Sequence, residues 1–126
     1  MSIVHLDTHV VVWLHEANPT KLEPARRHLE GRETVLSPMA LLELQYLYEI
    51  GRTTKGASEI VASLAETVGL SIASTPWREV VHTAIALDWT RDPFDRLIAA
   101  HAITEGVPLV TADERLRAHC PNAVWG

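Results

Sequence analysis

The stretch "SIVHLDTHVVVWL", residues 2–14, decides the fold because it joins a short apolar strand to a helix through a single acid. Residues 2–6 predict a strand that stops at Asp7. Residues 8–14 follow without a glycine or proline turn signal and predict a short helix. Short apolar strands that alternate with helices are typical of a parallel sheet covered by helices on both faces.

The same alternation continues to the end of the chain. Further strands are predicted at 33–37, 70–74, 107–111 and 122–125. Helices are predicted at 21–30, 38–50, 57–67, 77–87, 93–105 and 113–119. We therefore predict an α/β protein with a three-layer α/β/α fold, roughly five parallel strands and one domain spanning residues 1–126.

Composition excludes several classes of protein. A chain of 126 residues with 47% hydrophobic residues is large enough to bury one core. Its net charge of -5 argues against a protein that holds nucleic acid by bulk positive charge, although not against a local basic rim. The single cysteine, Cys120, excludes an internal disulfide and favours the reducing cytoplasm. We find neither a signal peptide nor a run of about 18 apolar residues that would predict a membrane span.

Two acids follow predicted strands directly. Asp7 ends the first strand, and Asp113 comes just after the strand predicted at 107–111. Functional sites of open parallel sheets form beyond the carboxyl ends of the strands, so these acids share one rim if the two strands are neighbours. Each acid taken alone is equally well explained as a helix N-cap.

A third acid lies inside an apolar helix. Glu43 interrupts a stripe at helical spacing that predicts the buried face of helix 38–50, formed by Met39, Leu42, Tyr46, Leu47 and Ile50. A carboxylate in such a stripe is costly unless a cation or hydrogen bonds compensate it. The alternative is a glutamate that reaches solvent at the edge of the sheet.

The stretch "RDPFDRLIAAHA", residues 91–102, supplies the fourth acid. Asp92 precedes Pro93, which favours the first helical position, so Asp92 is the predicted N-cap. Asp95 then occupies the third helical position, near the positive end of the helix dipole. The predicted buried face of this helix consists of Phe94, Leu97, Ile98, His101 and Ala102.

If Asp7, Glu43, Asp95 and Asp113 converge, their repulsion implies a bound cation. Ligands that are all oxygen atoms select a hard ion such as Mg²⁺ or Mn²⁺. A carboxylate-held ion of this kind suits phosphoryl chemistry, because it activates water and neutralises charge on the leaving oxygen.

Other kinds of site find less support. His5 and His9 are separated by a strand end, and the sequence has no CxxC or HExxH, so no zinc site is predicted. The sequence also lacks the GxSxG motif of a serine nucleophile. Five arginines are expected near the proposed rim, mostly as solvated charges, with one or two available to RNA phosphates: Arg78, Arg91, Arg96, Arg115 and Arg117.

Four segments together resemble a PIN domain, and most closely the ribonuclease toxins of VapBC toxin–antitoxin modules. They are "IVHLDTHVVVWL", "SPMALLELQYL", "RDPFDRLIAAHA" and "PLVTADERL", in the family's order. The resemblance implies that Asp7, Glu43 and Asp95 are the core metal-binding acids and that Asp113 fills the fourth, less uniform place. A further acid often follows three residues later in relatives, where this chain has Leu116. Thr8 and Thr111 match hydroxyl positions near the metal, and Asp92 is a helix cap beside it.

The resemblance also implies a function. It predicts a cytoplasmic Mg²⁺- or Mn²⁺-dependent endoribonuclease toxin that hydrolyses RNA phosphodiester bonds, forms a homodimer and is inhibited by an antitoxin. The alternative is a catalytically silent PIN-like module that only binds a protein partner or RNA. Because Leu41, Leu44 and Tyr48 make the rest of helix 38–50 apolar, we expect a second subunit or an antitoxin helix to cover part of it.

Overall fold

A sheet of five parallel strands forms the centre of the computed structural model, which describes residues 2–126. The strands are Ile3–Leu6 (β1), Glu33–Leu36 (β2), Ser71–Ile72 (β3), Leu109–Val110 (β4) and Ala123–Val124 (β5). Their spatial order is β3-β2-β1-β4-β5. The predicted parallel sheet is confirmed, although β3, β4 and β5 are each shorter than the sequence indicated.

Helices connect the strands and cover the sheet, which gives the predicted three-layer α/β/α fold. They are Thr8–His15 (α1), Pro19–Leu22 (α2), Arg26–Leu29 (α3), Pro38–Glu49 (α4), Ala57–Val68 (α5), Trp77–Ile85 (α6), Pro93–Glu105 (α7) and Glu114–His119 (α8). Within residues 2–126, no helix combines the length and the apolar composition needed to cross a membrane.

Strand β1 lies in the middle of the sheet. It pairs with β2 on one side and with β4 on the other, with His5 in register with Val35 and Leu109. Its residues Val4 and Leu6 are fully buried. The neighbouring position of β1 and β4 brings the ends of the two strands that precede Asp7 and Asp113 to the same rim.

The predicted single helix over residues 21–30 is wrong. The chain instead forms α2, a 3₁₀ turn at Glu23–Ala25, and α3. Pro24 lies in the middle of this segment, where it has no N–H to donate and its ring clashes with the preceding turn. The two leucines expected to face inward, Leu22 and Leu29, do pack against the core.

The predicted buried face of α4 is also largely wrong. The residues that it buries are Ala40, Leu44 and Leu47. Leu42, Tyr46 and Ile50 are exposed, and so is Tyr48. Because apolar residues occur on nearly every face of this helix, its sequence pattern did not identify the side that packs against α1, α5 and α7. Leu44 is fully buried in the chain's own core, so it cannot serve the partner contact expected of it.

Helix α7 fully buries three of the five residues that its sequence predicted to be buried. Ile98, His101 and Ala102 are fully buried, whereas Phe94 and Leu97 are only partly buried. Ala100 packs against Val80 and Ala84 of α6 in a small separate cluster. These small side chains let α7 lie close to the neighbouring helix.

Two leucines of α4 provide a matched test of this packing. We expect Leu44→Ala to lower the free energy of unfolding by about 2–5 kcal/mol, because Leu44 is fully buried and its truncation leaves a cavity. Leu42 is 56% exposed, and Leu42→Ala should stay within about 0.5 kcal/mol of the parent. Urea unfolding followed by circular dichroism measures both. Equal losses in the two variants would contradict the observed orientation of α4.

Candidate functional site

Asp7 is attached to the sheet through both of its carboxylate oxygens. Oδ1 accepts a hydrogen bond from the Thr8 backbone N–H at 2.8 Å, which makes Asp7 the N-cap of α1. Oδ2 accepts a hydrogen bond from the Thr111 hydroxyl at 2.7 Å. Asp7 is 5% exposed, and Thr8 and Thr111 are fully buried. The carboxylate is therefore held between the ends of β1 and β4.

Glu43 approaches the same rim from α4. Its Oε1 accepts a hydrogen bond from the Thr8 hydroxyl at 2.5 Å. Thr8 thus donates its backbone N–H to Asp7 and its hydroxyl to Glu43, and it connects the two acids. The Glu43 side chain is only half-buried, so its second oxygen is available to the rim.

Asp113 is joined to Asp7 through Thr111. The Asp113 backbone N–H donates to the Thr111 hydroxyl at 3.0 Å, and that hydroxyl in turn donates to Asp7. The Asp113 side chain is exposed and caps α8 by accepting from the Leu116 backbone N–H at 2.9 Å. Leu116 itself is fully buried, so the position three residues after Asp113 belongs to the core.

Asp95 reaches the rim from the first turn of α7. Asp92 caps this helix, as predicted, by accepting from the Phe94 backbone N–H at 2.9 Å. With Pro93 as the first helical residue, Asp95 is the third, and it is half-buried. The cap therefore sets the direction in which α7 presents Asp95.

Sequence reasoning missed two residues that support this turn. The Arg96 guanidinium donates to the backbone carbonyls of Ala84, Ile85 and Thr90 at 2.8–3.3 Å. It binds the end of α6 and the following loop to α7, so Arg96 is not the solvated rim charge that we expected. The Thr90 hydroxyl is buried and accepts from the Asp92 backbone N–H at 3.1 Å. The threonine two residues before the capping aspartate was the available sequence signal.

The acids interact electrostatically, and Asp95 is affected most strongly. Burial, followed by repulsion from the surrounding carboxylates of Asp7, Asp92, Asp113 and Glu43, raises the pKa of Asp95 to about 7. The four neighbouring charges that raise this pKa are all carboxylates, so the field at Asp95 is negative. His9 opposes that field at Asp7 and Glu43, where it lowers the pKa.

Burial also raises the pKa of Asp7 and of Glu43 above their ordinary values. The Thr111 and Thr8 hydrogen bonds oppose the shift at Asp7, and the Thr8 hydroxyl opposes it at Glu43. The negative charge of Asp7 adds to the shift at Glu43, which places these two acids within electrostatic reach of each other.

The donor set at this rim fits a hard divalent cation. Asp7, Glu43, Asp95 and Asp113 offer only carboxylate oxygens, which are the ligands that Mg²⁺ prefers. Among residues 2–126, no three of these acids offer ligand atoms that all lie within 4.8 Å of one another, so their spacing is wider than that of a closed cage. Mg²⁺ usually keeps several waters and binds few carboxylates directly, so it does not require a closed cage.

The raised pKa of Asp95 predicts a pH-dependent stability. Its folded value of about 7 exceeds the ordinary value of 3.8, so the folded state binds more protons than the unfolded state between these values. In chelator, the free energy of unfolding should therefore fall as the pH rises from about 4 to about 7. We expect Asp95→Asn to make this profile less steep, because it removes one titrating group and its repulsion, while Asp7 and Glu43 also have raised pKa values and still titrate.

Thermal melting from mildly acid to neutral pH measures the effect, with Asp88→Asn as the control. Asp88 is an exposed aspartate between α6 and α7, and its replacement should leave the profile unchanged. A single pH profile shared by the parent and Asp95→Asn would show that these acids do not interact as described.

Comparison with known proteins gives a consistent relationship. Residues 4–120 match the PIN domain family. The chain is 37% identical over 134 residues to Ribonuclease VapC22 of Mycobacterium tuberculosis, an alignment that covers 99% of this chain and 100% of that protein. VapBC2 from Rickettsia felis, solved with a DNA fragment from its promoter, superposes with a TM-score of 0.70 at 22% identity and covers 98% of this chain and 99% of that one. A toxin–antitoxin complex from Klebsiella pneumoniae superposes with a TM-score of 0.68 at 17% identity, and the alignment covers 96% of this chain and 95% of that one. Together with the parallel sheet and its acidic rim, these matches show that the chain belongs to the PIN-domain family.

Proposed function

We propose that this chain, as a single domain over residues 1–126, is an endoribonuclease that depends on Mg²⁺ or Mn²⁺ and acts as the toxin of a toxin–antitoxin pair. The observation that supports the proposal is that the charges of Asp7, Glu43 and Asp113 all act on Asp95 at one rim and, with burial, raise its pKa to about 7. These acids come from four different parts of the chain. The name of the relative, Ribonuclease VapC22, supports RNA as the substrate.

In this proposal, Asp7, Glu43 and Asp95 hold the cation, and Asp113 assists them. The cation supplies Lewis-acid chemistry when bound, since it lowers the pKa of water and neutralises charge on a phosphodiester. Thr8 and Thr111 orient Asp7 through the two hydrogen bonds described above. Thr8 also orients Glu43, and Asp92 sets the helix start that directs Asp95.

The net negative charge of the chain means that RNA would be attracted locally, by the bound cation and nearby arginines, rather than by the protein surface as a whole. The net charge of -5 gives little general attraction for RNA, so local cations must provide it. Arg96 is committed to backbone carbonyls, so the exposed arginines that remain for phosphate contacts are Arg78, Arg91, Arg115 and Arg117. Of these, Arg91 and Arg115 each donate one hydrogen bond to a backbone carbonyl, of Asp88 and Trp89 respectively.

We further propose an antitoxin partner and a homodimer in the cytoplasm. The support comes from the VapBC complexes among the structural neighbours and from apolar side chains exposed on α4. Leu42 is 56% exposed and Tyr46 is 47% exposed, and they lie one helical turn apart. These residues replace Leu44 as the candidates for the partner contact.

The alternative function is a silent module that binds a partner or RNA without cleaving it. The complete set of acids favours the nuclease, because a partner-binding surface does not require carboxylates with raised pKa values. A cleavage assay separates the two functions.

The first prediction for this function is metal dependence. Purified protein should cleave RNA in the presence of Mg²⁺ or Mn²⁺, lose the activity in excess chelator, and regain it when the metal is restored. The reason is the negative field at Asp95, which would repel the phosphate in the absence of a cation. Undiminished cleavage in chelator would contradict the metal mechanism, and absence of cleavage with every metal would favour the silent module.

The second prediction concerns Glu43. We expect Glu43→Gln to lower the cleavage rate by roughly a hundredfold or more while the protein stays folded, because the amide keeps the shape but loses the charge. Glu49→Gln provides a matched control, since Glu49 is an exposed glutamate on the same helix. Single-turnover cleavage and thermal melting measure the two effects. Near-parent cleavage by folded Glu43→Gln would assign Glu43 a purely structural role.

A further inference from the structure

A second polar cluster lies at the opposite end of α7 from Asp95. It contains His5 from β1, and His101 and Glu105 from α7. His101 and Glu105 are four residues apart and therefore lie on the same face of the helix. Asp95 and Glu105 are ten residues apart along α7, which corresponds to about 15 Å at 1.5 Å per residue. Glu105 is thus well separated from Asp95, although His5 lies only two residues before Asp7, and the group of three contains none of the four rim acids.

The three side chains converge closely. One possible ligand atom from each residue lies within 4.8 Å of the others, a feature found at no other group of three such residues in residues 2–126. His5 Nε2 lies 2.8 Å from Glu105 Oε1, and His101 Nε2 lies 3.1 Å from Glu105 Oε2. Both imidazole nitrogens therefore face the same carboxylate.

Two buried nitrogens in the cluster have no hydrogen-bond partner. His101 Nε2 is close to Glu105, but its direction does not satisfy hydrogen-bond geometry. His5 Nδ1 also lacks a partner, and the side chains of both histidines are at most 1% exposed. An unpartnered polar atom in such surroundings costs free energy, and an ion bound at His101 Nε2 would remove that cost at this nitrogen.

Neighbouring hydroxyl groups hold the cluster in place. Ser37 Oγ lies 3.0 Å from His101 Nδ1 and is its hydrogen-bond partner. The other ring nitrogen, Nε2, is directed at the cluster. The Thr75 hydroxyl donates to Glu105 Oε2 at 2.5 Å. Metal-binding histidines and carboxylates are usually oriented by such outer hydrogen bonds.

The protonation states suit ligands. Burial and the nearby His5 lower the pKa of His101 despite the opposing effect of Glu105, so its imidazole is neutral at neutral pH. Although burial opposes the shift, hydrogen bonds from Thr75 and His5 hold the pKa of Glu105 below its ordinary value, so its carboxylate is ionised. Neutral imidazole and ionised carboxylate are the forms that coordinate metals.

We propose that His5, His101 and Glu105 form a second metal site, one that binds a zinc-class divalent ion. Two imidazole nitrogens and one carboxylate oxygen are ligands that Zn²⁺ favours, whereas Mg²⁺ prefers oxygen alone. Three protein ligands leave one position for water in a tetrahedral site. The Glu105 side chain is 19% exposed and provides the path by which the ion enters. A bound ion would join the centre of the sheet to the last turn of α7.

Zinc titration of the metal-free protein tests this site, and the test does not depend on RNA cleavage. Asp95→Asn, which removes a carboxylate from the rim, should keep a Zn²⁺ site of stoichiometry one per chain by isothermal titration calorimetry. Zn²⁺ should also raise its melting temperature, because an ion that binds only the folded state stabilises that state. The double variant that carries Glu105→Gln as well as Asp95→Asn should bind Zn²⁺ at least about tenfold more weakly. Loss of a group that only orients a ligand already weakens metal binding by about this factor, and loss of a ligand itself should weaken it no less.

Two controls locate the ion. His82 is an exposed histidine on α6, and His82→Gln should leave the affinity unchanged. The Trp77 ring lies 5.9 Å from the His101 ring, so Co²⁺ used in place of Zn²⁺ should quench Trp77 emission, and Trp77→Phe should remove that quenching. This second readout uses an unaltered cluster and so does not require Glu105→Gln to fold. The proposal would be overturned if Asp95→Asn bound no Zn²⁺, or if adding Glu105→Gln to it left the Zn²⁺ affinity unchanged. It would also be overturned if His82→Gln weakened Zn²⁺ binding as much as Glu105→Gln does, because the binding would then be adventitious.

Discussion

The attachment of Asp7 to the end of β1 is the constraint on which the rest of the site depends. Strand β1 is hydrogen-bonded on both sides, and its inward residues are fully buried, so its end has little freedom to move. Thr8 and Thr111 then hold both oxygens of Asp7. Because Thr8 also binds Glu43 and Thr111 also accepts from the Asp113 backbone, the positions of two further acids follow from that of the first.

The concentration of acids at this rim opposes folding. Desolvation and repulsion both raise the pKa of Asp95, and the same burial acts on Asp7 and Glu43. Proteins keep such unfavourable groups where surrounding structure holds them in place and where a ligand relieves them. Here the three carbonyl contacts of Arg96 provide much of that support, because they anchor the loop that leads into α7.

The elements that local sequence signals define were predicted well. Ser37 and Asp92 both precede a proline, and both cap their helices as expected. The strand that ends at Asp7 and the central place of Asp95 in the first turn of α7 also follow from short-range pattern. Pro24 was the local signal that outweighed the helical pattern around it. Each of the four acids was a candidate because it follows a strand, starts a helix or interrupts the apolar face of a helix. The resemblance to a known family predicted that the four belong to one site.

The sequence by itself thus determined the strands, most of the helices and their caps, since these depend on neighbours within a few residues, and it suggested the four acids as candidates. Only the tertiary structure decided which face of α4 is buried, because Leu42 and Leu44 are equally apolar and differ only in what packs against them. It also decided that His5 meets Glu105, 100 positions away, and that Arg96 binds backbone rather than solvent. Such contacts depend on how distant segments pack in three dimensions, and no local spacing encodes them.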